Sequence, residues 1–195
     1  MLKDRIDVPS GKLATVVTSL EMFSRPVLRP EHPGLGWHLH HVQQPDLGWY
    51  RDLFRRVGLN WLWFSRLQMS DTTLASIIHH PAVSVYSLQI EGRDEGLLEL
   101  DFREPDACEL GFFGVTQELI GTPAGRWLMN RAVEIAWSRP IRRFWVHTCT
   151  CDHPSALLFY IRSGFTAFQR HVEITSDPRV AGMLPREDAP HMPMI

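Results

Sequence analysis

The chain has 195 residues, 44% of them hydrophobic, and a formal net charge of -2, so one domain with a true core is expected. No run of like charges marks a nucleic-acid footprint or a membrane-surface patch, and neither partner is expected. Three cysteines and an N-terminus without a long apolar stretch predict a reduced, cytoplasmic protein with no signal peptide or membrane span.

In chain order, residues 12–22 (KLATVVTSLEM) are rich in β-branched side chains and read as a strand. The following FSRPVLRPEHPGLG, residues 23–36, holds three prolines and two glycines and reads as loop. Residues 45–58 place Leu47, Tyr50, Phe54 and Val57 at helical spacing, with Gly58 as the stop. A second helix follows Ser70 or Asp71, with Leu74, Ile77 and Ile78 on one side. Residues 82–90, 96–104 and 107–115 form three strands joined by short polar turns, an antiparallel meander. Residues 124–137 are an amphipathic helix with Arg126, Asn130 and Glu134 on the polar face and Leu128, Ala132 and Ile135 on the apolar one. A strand (RRFWVHTC), a helix (SALLFYIRSG) and a last strand (TAFQRHVEI) complete the order. The fold class is α/β (α+β): a mixed, mainly antiparallel central sheet with helices on both faces. Residues 1–175 form a single domain; residues 176–195, with four prolines, form an extended C-terminal arm. Val180, Met183 and Leu184 on that arm predict packing across its own domain or a partner's, as in a twofold homodimer.

The stretch HTCTCDHPSALLFYIRSGF, residues 147–165, concentrates His147, Cys149, Cys151, Asp152 and His153. Thiolates and imidazoles suit zinc, but alternate strand residues share one face, so Cys149, Cys151 and His153 would need a turn to close a tetrahedron. No second cysteine pair exists, and no metal is expected here, nor at His38, His40, His41, His79 and His80. Asp152 or His153 can instead cap a helix whose first turn holds Pro154 and whose stop is Gly164.

His153, Ala156, Tyr160, Gly164 and Phe165 follow the spacing Asn-x-x-Ala-x-x-x-Tyr-x-x-x-Gly-Phe, with His in place of Asn. In this the chain resembles the GNAT superfamily of acetyl-CoA-dependent N-acetyltransferases. Upstream, Ile120 to Gly125 occupy the place of that family's Gln/Arg-x-x-Gly-x-Gly/Ala loop: Ile120 and Pro123 depart from it, and Gly125 keeps it. The resemblance covers residues 13 to about 175. Independently of it, a loop of small residues feeding a helix start presents free N–H groups to an anion. Gly121, Ala124 and Gly125 let a pyrophosphate approach, and Arg126 adds charge.

The resemblance implies acetyl-CoA in a cleft between two splaying strands. Its pantetheine arm would run along Phe113, Gly114 and Val115. Its pyrophosphate would rest at Gly121, Thr122, Ala124, Gly125 and Arg126, with Ser155 and Tyr160 beyond. The implied reaction is direct attack by a primary amine of a small molecule or peptide in a ternary complex; the alternative is an inactive GNAT-fold module that binds acyl-CoA as a sensor. Glu109 is the candidate base: counting by twos from Val115 through Phe113 and Gly111 puts it on the same strand face, provided that no bulge intervenes. Glu99 and Glu21 are its reserves. Tyr160 is the candidate acid for the leaving thiolate. Trp61, Trp63 and Phe64 are candidates for an aromatic acceptor wall, with Arg66 or Asp71 to orient a polar group.

Overall fold

Long β-branched runs and capped amphipathic segments become seven strands and four helices in the computed structural model, which describes residues 5–31 and 36–195. The expected loop at 23–36 therefore lies partly outside the described residues. The strands are β1 (Lys12–Met22), β2 (His38–His41), β3 (Val83–Ile90), β4 (Arg93–Asp101), β5 (Ala107–Val115), β6 (Arg143–Cys149) and β7 (Thr166–Ser176). The helices are α1 (Leu47–Gly58), α2 (Asp71–Ile78), α3 (Ala124–Ala136) and α4 (Ala156–Arg162). Asp46 caps α1 by accepting from Trp49 N–H at 2.9 Å, and Ser70 caps α2 by accepting from Thr73 N–H at 3.2 Å.

The sheet order is β2-β3-β4-β5-β6-β1-β7, antiparallel throughout except for the β5–β6 pair. This is the mixed, mainly antiparallel architecture that the sequence predicts. Two features were not legible in it. The edge beside the meander is formed by β2, the HLHH segment, whose four largely exposed residues are too few and too polar to show a twofold pattern. The N-terminal β1 lies at the other side of the sheet, between β6 and β7 and antiparallel to both. It fits there because Leu20 and Met22 enter the α3/α4 core while Leu13 packs on the opposite face.

Helices cover both faces. Leu128, Met129, Ala132 and Val133 of α3 pack on Leu98, Leu100, Leu110 and Val146. Tyr50, Leu53, Phe54 and Leu74 of α1 and α2 pack on Val85 and Leu97. Each fully buried side chain of this size contributes roughly 1.5–3 kcal/mol relative to exposure. Gly58 is required where α1 ends: a Cβ there would lie 2.4 Å from the Trp63 ring. Asn130, assigned to the polar face of α3, is 3% exposed. The segment after β1 crosses this helix; Asn130 donates to the Arg29 carbonyl at 2.8 Å and accepts from Arg29 N–H at 3.3 Å.

Residues 177–195 contain no strand or helix and fold back over the N-terminal end of β1. Arg179 forks onto Asp177 (2.8 and 3.1 Å) and donates to the carbonyls of Asp188 and Ala189. Leu184 and Ala189 join Leu13, Leu62 and Cys151 in a small cluster of their own. These anchoring contacts are made within one chain.

Candidate active site

Parallel strands β5 and β6 pair only over Ala107–Glu109 and Arg143–Trp145, then part. Beyond that point β5 continues to Val115 and β6 to Cys149 with no ladder between them. A cavity of about 810 Å³ runs through the opening. Phe113, Gly114, Val115, Gly121, Thr122, Gly125, Arg126, Ser155 and Tyr160 all line it. Ala124 does not: it is fully buried in the α3 core, so it gives the first turn its close packing rather than a surface for ligand.

The start of α3 has the form of an anion site. Gly121 adopts φ +79° and leaves open space where a Cβ would point. The Ala124 N–H is taken by Thr122 Oγ1 at 3.2 Å, and the helical ladder begins with Trp127 N–H donating to the Pro123 carbonyl. The Gly125 and Arg126 N–H groups have no partner among the described residues. Arg29, clamped by Asn130, lines the same end of the cavity. Burial, then the nearby charges of Arg126 and Arg162, depress the Arg29 pKa; of the three, Arg29 and Arg126 line the cavity. None of the three has an ion-pair partner among the described residues. Nothing in the loop sequence around Arg29 signals this role; it depends on where β1 lies.

Tyr160 lies at the opening, 8% exposed, with its ring among Phe113, Phe159 and Phe165. Burial and the charge of Asp152 push its phenol well above the usual range, so it keeps its proton. Its hydroxyl has no hydrogen-bond partner among the described residues.

The candidate bases are placed differently from the sequence count. β5 carries an extra residue opposite β4: Glu99 pairs with Phe112 and Leu100 with Leu110, leaving Gly111 as a bulge. The bulge reverses the alternation, so Glu109 lies on the α1 face, opposite to Phe113 and Val115. It does not line the cavity. Its Oε1 lies 3.5 Å from Nδ1 of His147, which does. That contact raises the His147 pKa, reinforced by the charge of Asp152 and opposed by burial.

Glu99 is fully buried, bonded to the Tyr50 hydroxyl at 2.5 Å and to Arg66 Nη2. Glu21 pairs with Arg143 at 2.8 Å. Arg66 is thus drawn into the core by a buried carboxylate and is not a lining residue. Asp71 is an exposed partner of Arg51. Trp61, Trp63 and Phe64 do line the cavity.

Cys149 and Cys151 line it too, and neither is in a disulfide. Their thiols interact: Cys149 is shifted down chiefly by the Cys151 thiol, and Cys151 is shifted up chiefly by Cys149. His153 Nδ1 accepts from Ser155 N–H at 3.0 Å. Among the described residues no group of three or more His, Cys, Asp or Glu side chains is arranged to hold a metal. Asp152 serves the turn instead, its Oδ2 accepting from Thr148 Oγ1 at 2.7 Å and Cys149 N–H at 2.8 Å. Leu13, Thr15, Glu173 and Thr175 complete the wall; sequence reasoning missed them because the pattern of β1 does not show which strands it pairs with.

No protein-family model matches the chain, and neither does any curated protein. Solved structures do. A GNAT-family acetyltransferase from Novosphingobium aromaticivorans superposes with a TM-score of 0.59 at 16% identity, covering 88% of this chain and 69% of that one. A GNAT-family acetyltransferase from Elizabethkingia anophelis with acetyl-CoA bound gives 0.51 at 14% identity, covering 69% and 78%. A conserved protein of unknown function from Staphylococcus epidermidis gives 0.57 at 12% identity, covering 86% of this chain and 64%, less than two thirds, of its own. At these identities the likeness is one of architecture: the chain has the GNAT fold.

Proposed function

We propose that the protein is an N-acetyltransferase that moves an acetyl group from acetyl-CoA to a primary amine of a small molecule. The observation that carries this reading is the continuity of one cavity: two arginines and free helix N–H groups at one end, the β5–β6 opening in the middle, and aromatic and acidic side chains at the other. The cofactor end fits acetyl-CoA by its chemistry. Gly125 and Arg126 N–H groups and the guanidinium groups of Arg29 and Arg126 suit phosphates. The β5 edge from Phe113 to Val115, unpaired on the β6 side, has backbone groups for an extended amide arm. Acetyl-CoA supplies the activated acetyl thioester; the remaining work belongs to this chain.

An acceptor amine has a pKa near 10 and must lose a proton as it attacks the thioester carbonyl. We assign that proton to His147, held by Glu109. Glu109, the base expected from the sequence, is then a positioning residue that orients the ring and strengthens its basicity. As the carbon–sulfur bond breaks, the thiolate takes the phenolic proton of Tyr160, which burial has kept in place. Among the described residues no helix is long and apolar enough to cross a membrane, and three free cysteines fit a reducing cytoplasm.

The test is titration calorimetry with acetyl-CoA on the native protein and Gly125→Glu. A Cβ at Gly125 points toward Phe159 at 3.8 Å, so the glutamate would fill the phosphate approach and repel its charge. Binding by the native chain, lost in the variant, supports the assignment; unchanged affinity in the variant contradicts it.

A further inference from the structure

The two ends of the cavity carry opposite charge. Both arginines that line it, Arg29 and Arg126, belong to the α3 end, Arg29 lying over Phe159. At the other end the charged lining is acidic: Asp152 and Glu173. Asp152 has no ion-pair partner among the described residues, and its Oδ1 is met only by Trp63 Nε1 at 3.3 Å. Glu173 meets only His171, an exposed neighbour on its own strand. His147 at this end faces Glu109 at 3.5 Å, whose carboxylate balances the imidazole whenever it holds a second proton. Arg66, which the sequence analysis offered to orient a polar group of the acceptor, is committed to Glu99.

The walls are aromatic and held in place. Trp63 packs on Phe54 and Phe112 at 5.4 and 5.2 Å, beneath the Cβ-less Gly58. Trp61 is held edge-on by His153 at 5.1 Å, with His191 of the C-terminal arm 5.8 Å away. Fixed indole surfaces favour flat apolar groups and cations over small polar ones.

Resting on the acetyltransferase reading, we infer that the acceptor is an arylalkylamine: a primary amine on an aromatic skeleton with no carboxylate of its own. Its ammonium is drawn to Asp152 and Glu173 before deprotonation, and its ring lies against Trp61 and Trp63. A free amino acid or an acidic peptide would bring a carboxylate into a wall of carboxylates with no guanidinium to receive it.

Phenethylamine and phenylalanine differ by that one carboxylate, and 2-phenylethanol lacks the charge. Calorimetry of each against the CoA-saturated protein reads the preference without requiring turnover. Phenethylamine should bind at least about tenfold more tightly than phenylalanine. Asp152→Asn should weaken phenethylamine and leave 2-phenylethanol unchanged. Glu173→Gln, on an exposed strand where misfolding is not at issue, should act in the same direction. Equal or tighter binding of phenylalanine overturns the inference, as does no binding of either. Acetyl-CoA consumption, followed in parallel, separates the two claims. Selective phenethylamine binding without thiol release supports the acceptor class and overturns the transferase reading. Thiol release that is as fast with phenylalanine does the reverse.

Discussion

Nδ1 of His147 lies 3.5 Å from Oε1 of Glu109, across the point where β5 and β6 separate. The imidazole lines the cavity and the carboxylate stands behind it. His147→Gln should therefore lower turnover by about 10²–10⁴-fold, the usual contribution of a general base. Glu109→Gln should lower it less and move the acidic limb of the pH–rate profile to lower pH, because the carboxylate holds the His147 pKa up. A Glu109→Gln profile unmoved in pH would remove Glu109 from the mechanism.

The same pair has a stability signature. Folding raises the His147 pKa, so the folded state binds the proton more tightly than the unfolded chain. The resulting stabilisation is fully present below the unfolded value of about 6.5 and is lost as pH rises through the folded one. The imidazole is half exposed, so the effect is small. Thermal unfolding should show a larger gap between native and His147→Gln protein at pH 5.5 than at pH 8.5; a larger gap at the higher pH would contradict the assigned sign.

Tyr160→Phe removes one oxygen from a ring held by three phenylalanines. Turnover should fall by about 10²-fold or more while acetyl-CoA affinity stays within about twofold. Weakened affinity with unchanged turnover at saturation would make Tyr160 part of the binding wall, and the thiolate would then need another donor.

Arg66 and Glu99 are a prediction about the core. Replacing Arg66 with Ala leaves a fully buried carboxylate with only the Tyr50 hydroxyl. Breaking such a pair costs about 3–5 kcal/mol, so the denaturation midpoint should fall sharply. A midpoint shift worth under about 1 kcal/mol, the range of surface pairs, would place Arg66 outside the core.

Apart from β2, the order of helices and strands was legible because each carries its own period, and the turn into α3 because Gly121 and Pro123 precede it. Three things escaped. A twofold count through Gly111 cannot register a bulge, which comes from the pairing of β5 with β4 and moves Glu109 to the other face. The place of β1 is decided by partners more than a hundred residues away, and with it the positions of Arg29, Thr15, Glu173 and Thr175. Asn130 has a polar side chain at a helix position facing a loop, and only the loop's path shows that it is buried.

The central claim is acetyl transfer, and amine-dependent thiol release from acetyl-CoA measures it most directly. The account predicts that purified protein releases CoA thiol when phenethylamine is added, and that His147→Gln and Tyr160→Phe each lose most of that rate. Acetyl-CoA bound at saturation with no amine-dependent release above the uncatalysed rate would contradict it and identify the fold as an acyl-CoA-binding module.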